Sequence, residues 1–224
     1  MTKSISPKLF FDSGIILDFP NLQVESVFDL LGNSLKEKVS SLLTELGVQE
    51  QPVIKGKVHP SAVIEGSVYI AEGASVGPAA YIQGPSYIGP EAEVRHGAFI
   101  RGNAIIGPKA VVGHTTEVKG SIFGKGAKAG HFAYVGDSLL GENVNLGAGT
   151  KLANLKLKAD EVKVKHPEDD SLQGSGLRKF GAILGKDAQT GCNSVLSPGT
   201  MLLPKTAVLP CVHFHGTLKK GFAR

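Results

Sequence analysis

The sequence predicts an all-β fold, a parallel β-helix wound from six-residue repeats, with a small α-helical cap at its N-terminal end. Three observations predict it. A single aliphatic phase recurs every six residues from Val58 to Val118, the fifth position of each repeat is small or β-branched, and glycine is 29 of 224 residues against a usual share of about 7%.

Starting at Val58, the first position of each repeat is Val58, Ile64, Ile70, Val76, Ile82, Ile88, Val94, Ile100, Ile106, Val112 and Val118. The fifth position reads Ala62, Val68, Ala74, Ala80, Ser86, Ala92, Ala98, Ala104, Ala110 and Thr116. A helix of period 3.6 cannot hold that phase over so long a run, and a plain strand alternates by two. A triangular coil accounts for both columns: the aliphatic residue points into the prism and the small one lets the next coil stack. Glycines at the second position, Gly77, Gly89, Gly107 and Gly113, are expected to relieve the corner dihedrals. Three repeats make a coil of 18 residues.

The phase then makes two five-residue steps, Val118 to Phe123 and Val135 to Leu140, and continues through Leu146 and Leu152. Residues 157–179 interrupt it with a charged stretch, LKADEVKVKHPEDDSLQGSGLRK, expected to be a loop ejected from one corner. The coil resumes at Leu184, Thr190, Leu196, Leu202 and Val208, for about seven coils in all. Residues 1–52 form a separate N-terminal piece and 53–224 the coil. In the first piece Val27, Leu30, Leu31, Leu35, Val39, Leu42, Leu43 and Leu46 have helical spacing, divided at Gly32-Asn33 and ended by Gly47. LFFDSGIILDF before it reads as a short hairpin. The piece is expected to cap the open end of the solenoid.

Composition limits the function. The chain is 42% hydrophobic but only 6% aromatic, with no Trp, so the core is built from small and aliphatic groups. A net charge of +4 suits an anionic ligand such as a sugar phosphate. No basic run interleaved with aromatics points to nucleic acid. No apolar run approaches the ~18 residues of a membrane span, and the start lacks the apolar region of a secretory signal. Two cysteines, Cys192 and Cys211, make no disulfide framework. The expected location is the cytoplasm, with no membrane or nucleic-acid partner.

The least repeat-like stretch of the coil is residues 117–154, which contains both five-residue steps. A skipped residue re-aims side chains as a bulge does. Within it, KAGHFAYVGDS followed by GENVNLGAGT resembles the acetyltransferase domain of bifunctional glucosamine-1-phosphate acetyltransferase/N-acetylglucosamine-1-phosphate uridyltransferase. LANLKLKADEVKV and LRKFGAILG bring it nearer to archaeal sugar-1-phosphate nucleotidyltransferases carrying the same domain. The similarity spans roughly residues 58–210. It implies a left-handed β-helix, acetyl-CoA as co-substrate, an amino-sugar 1-phosphate as acceptor and a homotrimer with sites between subunits. No glycine-rich nucleotide loop lies near the start, so uridyltransferase activity is not expected.

The resemblance implies roles for particular residues. His131 matches the catalytic base, and imidazole titrates in the range needed to take a proton from an attacking amine. Ala148 matches the backbone oxyanion donor. Arg101 and Lys119 match the sugar-phosphate ligands; being 18 apart, they stack on one face, and two stacked cations call for an anion between them. Tyr134, Asn145 and Asn154 match groups at the sugar and the acyl end, with neutral donors suited to hydroxyls and carbonyls. Asn145 reads equally as a ladder residue of the coil. Cys192 stands near the expected pantetheine arm, or is a small buried packing residue. Lys205, with Lys219, Lys220 and Arg224, meets coenzyme A phosphates or forms a solvated face. One departure stands out: Asp160 occupies a position where the family has Lys, with Lys158 and Lys163 flanking it.

His96, His114 and His131 raise a separate reading, a three-histidine metal site, although the spacing differs from that of γ-class carbonic anhydrases, to which such a site belongs. The expected function is N-acetyl transfer from acetyl-CoA to an amino-sugar 1-phosphate. The alternative is a non-catalytic module that binds a sugar nucleotide or assembles with a separate nucleotidyltransferase.

Overall fold

The computed structural model describes residues 4–11 and 22–224. Residues 53–223 wind into a three-sided parallel β-helix. Face I runs from the strand Val53–Ile54 to Thr217–Leu218, face II from Lys57–Val58 to Phe222–Ala223, and face III from Val63–Glu65 to His213–Phe214. The faces hold nine, nine and eight strands, so the coil is longer than the seven turns expected. It starts before Val58, and Phe214, Leu218 and Ala223 carry it past Val208.

The aliphatic phase is the interior. Residues from Ile70 through Val118, then Phe123, Ala129, Val135, Leu140, Leu146, Leu152, Leu184, Leu196, Leu202 and Val208, form one buried cluster with the small fifth-position residues. Below the first five-residue step, stacked partners are 18 apart, as Ile64 on Ile82 and Ile82 on Ile100. Across the steps they are 17 apart, as Val112 on Ala129, Val118 on Val135 and Phe123 on Leu140. Each step thus removes one corner residue and leaves the inner column unbroken.

The second-position glycines serve a different purpose from the one expected. None of Gly77, Gly89, Gly107 and Gly113 has positive φ. They are required by close approach: a Cβ on Gly113 would lie 1.8 Å from the carbonyl oxygen of Gly130 in the next coil, and one on Gly107 2.5 Å from that of Phe123. The left-handed corner falls two residues later, at Ala79, Glu91, Asn103, Lys109 and Thr115, with φ between 49° and 58°. Stacking distance, rather than corner dihedral, selects glycine at the second position.

The described residues of the N-terminal piece pack along the side of the coil rather than across its end. Helix α1 (Gly32–Glu45) follows a 3₁₀ turn at Val27–Leu30 and buries Leu35, Val39, Leu42 and Leu43 along one stripe. Gly47 ends it with φ 75°, and the Val48 N–H donates back to the Leu43 carbonyl at 2.8 Å. This stripe lies along the flank of face I. The outward residues of that face form an apolar column, Tyr69, Tyr87, Ile105, Ile122, Leu139, Ile183 and Met201, buried in one cluster with Ile5, Phe10, Phe11, Leu31 and Leu35. The Lys186 N–H donates to the Phe10 carbonyl at 2.9 Å, tying this strap to the prism. Among the described residues none closes the first coil, where Ile54 is 47% and Val63 49% exposed. Of the expected hairpin over LFFDSGIILDF, residues 12–19 lie outside the described residues, and Pro7–Leu9 is a 3₁₀ turn.

The interruption at 157–179 is more ordered than a bare loop. Lys163–Lys165 and Leu172–Gly174 pair as an antiparallel hairpin, closed at its base by a bridge between Leu155 and Lys179. Val162 and Val164 join the strap cluster, so this excursion folds back against the molecule.

Candidate active site

His131 is the last residue of the strand Lys128–His131, at the corner where face II turns into face III. The register that pairs His114 with His131 sets the two rings one coil apart. Their centroids are 5.2 Å apart and nearly perpendicular, and Nε2 of His114 lies 3.1 Å from Nδ1 of His131. His96 stacks below His114 at 5.3 Å, with an interplanar angle of 5°. The His131 ring is exposed, and its Nε2 has no partner among the described residues.

The coil above His131 brings the Gly147-Ala148-Gly149 turn over it: Ala129 pairs with Leu146, and the Gly149 N–H donates to the His131 carbonyl at 3.1 Å. The N–H groups of Gly147 and Gly149 are both engaged. That of Ala148, between them, has no acceptor among the described residues. An amide donor without a partner therefore lies at the same corner as His131, one coil on.

Face III carries the other polar groups. Tyr134 opens the strand Tyr134–Gly136, and its hydroxyl donates to Oδ1 of Asn154 at 3.3 Å. Nδ2 of Asn154 donates to Oδ2 of Asp137. Lys119 reaches both oxygens of the same carboxylate at 3.2 Å. Gly136 makes room for this meeting, because a Cβ there would lie 2.8 Å from both the Tyr134 hydroxyl and Asn154 Nδ2. Burial, with the Glu117 and Asp137 carboxylates nearby, holds the Tyr134 phenol above its ordinary pKa, so it remains a donor at neutral pH. Arg101 donates to Glu117 at 2.6 Å, a bond that raises its already high pKa. The expectation that Arg101 and Lys119 need an anion between them is therefore answered within the chain: each cation has its own carboxylate.

The structure brings Arg101, Lys119, Tyr134 and Asn154 together on face III, with His131 and Ala148 at its edge. It does not bring in Asn145, which lies exposed on face II between Lys128 and Gln189. Cys192 follows face II two coil levels above His131 and is an exposed free thiol, as is Cys211, so neither is a buried packing residue. Lys205 occupies a left-handed corner between faces I and II, φ 61°, far from Tyr134 in the coil. Asp160 pairs with Lys156 at 2.8 Å, which lowers its pKa. Both line a cavity of about 720 Å³ with Lys158, Lys163, Leu157 and His215. The three-histidine metal reading fails on geometry: the His96 and His114 rings stack in parallel, and the described residues contain no group of three or more His, Cys, Asp or Glu able to hold a metal ion.

Sequence reasoning missed Glu117, Asp137 and the pairing of His114 with His131. The signal for Asp137 was its place one residue past Gly136, the position that stacks on Lys119 in the shortened 17-residue coil. That for His114 was the 17-residue spacing created by the first five-residue step.

Residues 82–169 match the family described as the GMPPB C-terminal domain. The bifunctional protein GlmU of Methanococcus aeolicus is 44% identical over 149 residues, covering 66% of this chain and 36% of the relative. GlmU of Methanococcus maripaludis is 51% identical over 152 residues, with the same coverage. A bifunctional sugar-1-phosphate nucleotidylyltransferase/acetyltransferase of Sulfurisphaera tokodaii is 41% identical over 96 residues, 43% of this chain and 23% of that one. Over the β-helix the chain is similar to part of each of these bifunctional proteins. The chain spans about a third of the length of the GlmU relatives it matches. Among solved structures, the acetyltransferase domain of PglB from Neisseria gonorrhoeae aligns with a TM-score of 0.37 at 12% identity, over 81% of this chain and 60% of that one. Among the described residues no helix is long and apolar enough to cross a membrane.

Proposed function

We propose that the chain is an N-acetyltransferase that moves the acetyl group of acetyl-CoA to the amine of an amino-sugar 1-phosphate, with glucosamine 1-phosphate as acceptor. One observation carries the reading: the exposed His131 ring, its Nε2 free, and the unengaged Ala148 amide share one corner a single coil apart, in a chain similar to nucleotidyltransferase/acetyltransferases. The amine attacks the thioester carbonyl. The carbonyl oxygen takes negative charge and accepts from the Ala148 N–H. Nε2 of His131 takes the amine proton, the C–S bond breaks, and that proton passes to the departing thiolate of coenzyme A.

In this reading Arg101 and Lys119 face the sugar phosphate with the donors their carboxylates leave open. Tyr134 and Asn154 hold hydroxyls beside them. Cys192 and Lys205, on later coils, lie along the coenzyme A arm and its phosphates. In the homotrimer that the resemblance implies, Asn145 on face II would serve the site of a neighbouring copy. The exposed thiols of Cys192 and Cys211 suit a reducing cytoplasm. A nucleotidyltransferase is the natural consumer of the product.

The test is thiol release from acetyl-CoA in the presence of glucosamine 1-phosphate. Release that depends on the sugar phosphate and is lost in His131→Ala supports the proposal. A folded wild type that releases no thiol, or a His131→Ala protein as active as wild type, refutes it.

A further inference from the structure

We infer that His114 is a positioning residue for His131: a chain of three hydrogen bonds sets the tautomer of both rings and leaves Nε2 of His131 as the only free basic nitrogen of the pair. The inference deepens the reading above and rests on it for the role of His131 as base.

The chain can be followed from its fixed end. The Thr115 hydroxyl lies 2.8 Å from the carbonyl oxygen of His114, an atom that can only accept, so the hydroxyl proton is spent there. The same oxygen lies 3.3 Å from Nδ1 of His114, and having given its proton away it can only accept from that nitrogen. Nδ1 of His114 therefore carries the hydrogen, and its Nε2 carries the lone pair. Nε2 of His114 is 3.1 Å from Nδ1 of His131, so Nδ1 of His131 must be the donor. A neutral imidazole with its hydrogen on Nδ1 has its lone pair on Nε2. The basic nitrogen of His131 is thus the one without a partner, on an exposed ring.

The surroundings hold His114 in place. It is sandwiched, with His96 stacked parallel at 5.3 Å on one side and His131 edge-on at 5.2 Å on the other. The backbone permits the contact because Gly113 has no side chain: a Cβ there would overlap the Gly130 carbonyl. Thr115, the anchor of the chain, sits in the left-handed corner with φ 49°. When His131 takes a proton from the substrate amine, its Nδ1–H bond to neutral His114 becomes charge-assisted and strengthens.

Two variants separate this role from a structural one. His114→Phe keeps an aromatic ring on His96 and removes the acceptor; His114→Gln restores an acceptor through its amide oxygen. Long-range ¹H–¹⁵N NMR on histidine-labelled full-length protein, without substrates and above the titration range, reads the tautomers directly. The expected wild-type result is His131 protonated on Nδ1, shifting towards the Nε2–H form in His114→Phe and back in His114→Gln. In the thiol-release assay, His114→Phe lowers kcat about tenfold, a fraction of the ~10²–10⁴-fold contribution of a general base, with KM for both substrates unchanged and His114→Gln recovering most of the loss. A wild-type His131 protonated on Nε2, or a His114→Phe protein with the wild-type tautomer and kcat, overturns the inference. If the protein transfers no acetyl group, the tautomers still decide whether the chain of bonds exists, and only the identity of His131 as base is lost.

Discussion

Faces I and III share one backbone repeat and one inner aliphatic column, yet their outer surfaces have opposite fates. On face I the outward column runs Tyr69, Tyr87, Ile105, Ile122, Leu139, Ile183 and Met201, and the N-terminal strap seals it. On face III the corresponding outward positions include Tyr81, Phe99, Glu117, Tyr134 and Lys151, with Arg101 and Lys119 beside them, and the described residues leave them half-buried or exposed. The inner column therefore builds the coil, while one outward residue per strand decides whether a face closes on its own chain or stays available to a ligand. Apolar area is sealed because burying it is favourable by roughly 25 cal/mol per Å². Charged groups remain near water, because burying them is costly even in pairs.

Breaking each face should have a different signature. The largest effect belongs to His131→Ala at the edge of face III: acetyl transfer falls by about 10²–10⁴-fold, while the thermal midpoint stays at the wild-type value. Next is Ile122→Asp on face I, which puts an unpaired charge beneath the strap. Urea unfolding should show a loss of about 3–5 kcal/mol, and limited proteolysis should cut the N-terminal segment sooner. Asp137→Asn strips Lys119 of its carboxylate inside the partly buried network with Asn154. A loss of about 1.5–3 kcal/mol is expected, since hydrogen bonds to charged groups have that range, together with a changed KM for the sugar phosphate. A smaller loss of stability than at Ile122 or Asp137 is expected for Arg101→Ala. Its pair with Glu117 is exposed, so stability should move by less than about 1 kcal/mol, while KM for the sugar phosphate rises and becomes less sensitive to salt. A loss of stability as large as that of Ile122→Asp would show that face III is a structural surface.

The legible and illegible parts of the molecule divide along the same line. The interior could be read from the sequence because each inward residue recurs at a fixed local interval, and both five-residue steps fell where the register shortens, at Phe123 and Leu140. The helix could be read from Leu35, Val39, Leu42 and Leu43. Its docking place could not, because that depends on a second column, Tyr69 through Met201, visible only at the spacing of a whole coil. The same blindness hid the partners at the site. His131 was found through its motif, but Asp137 beneath Asn154 and His114 beside His131 are neighbours only once coils of 17 residues are stacked. The second-position glycines show the converse error: their interval was read correctly, while their cause was the carbonyl of the next coil, as between Gly113 and Gly130.

The central claim is that face III and its edge transfer an acetyl group to a sugar amine. Mass spectrometry of a reaction containing glucosamine 1-phosphate and acetyl-CoA labelled with ¹³C in the acetyl group tests it directly. The account predicts a labelled N-acetyl sugar phosphate formed in step with free coenzyme A by wild type, and none above background from a folded His131→Ala protein. An unmodified sugar phosphate after incubation with folded wild type, or equal labelling by both proteins, would contradict it.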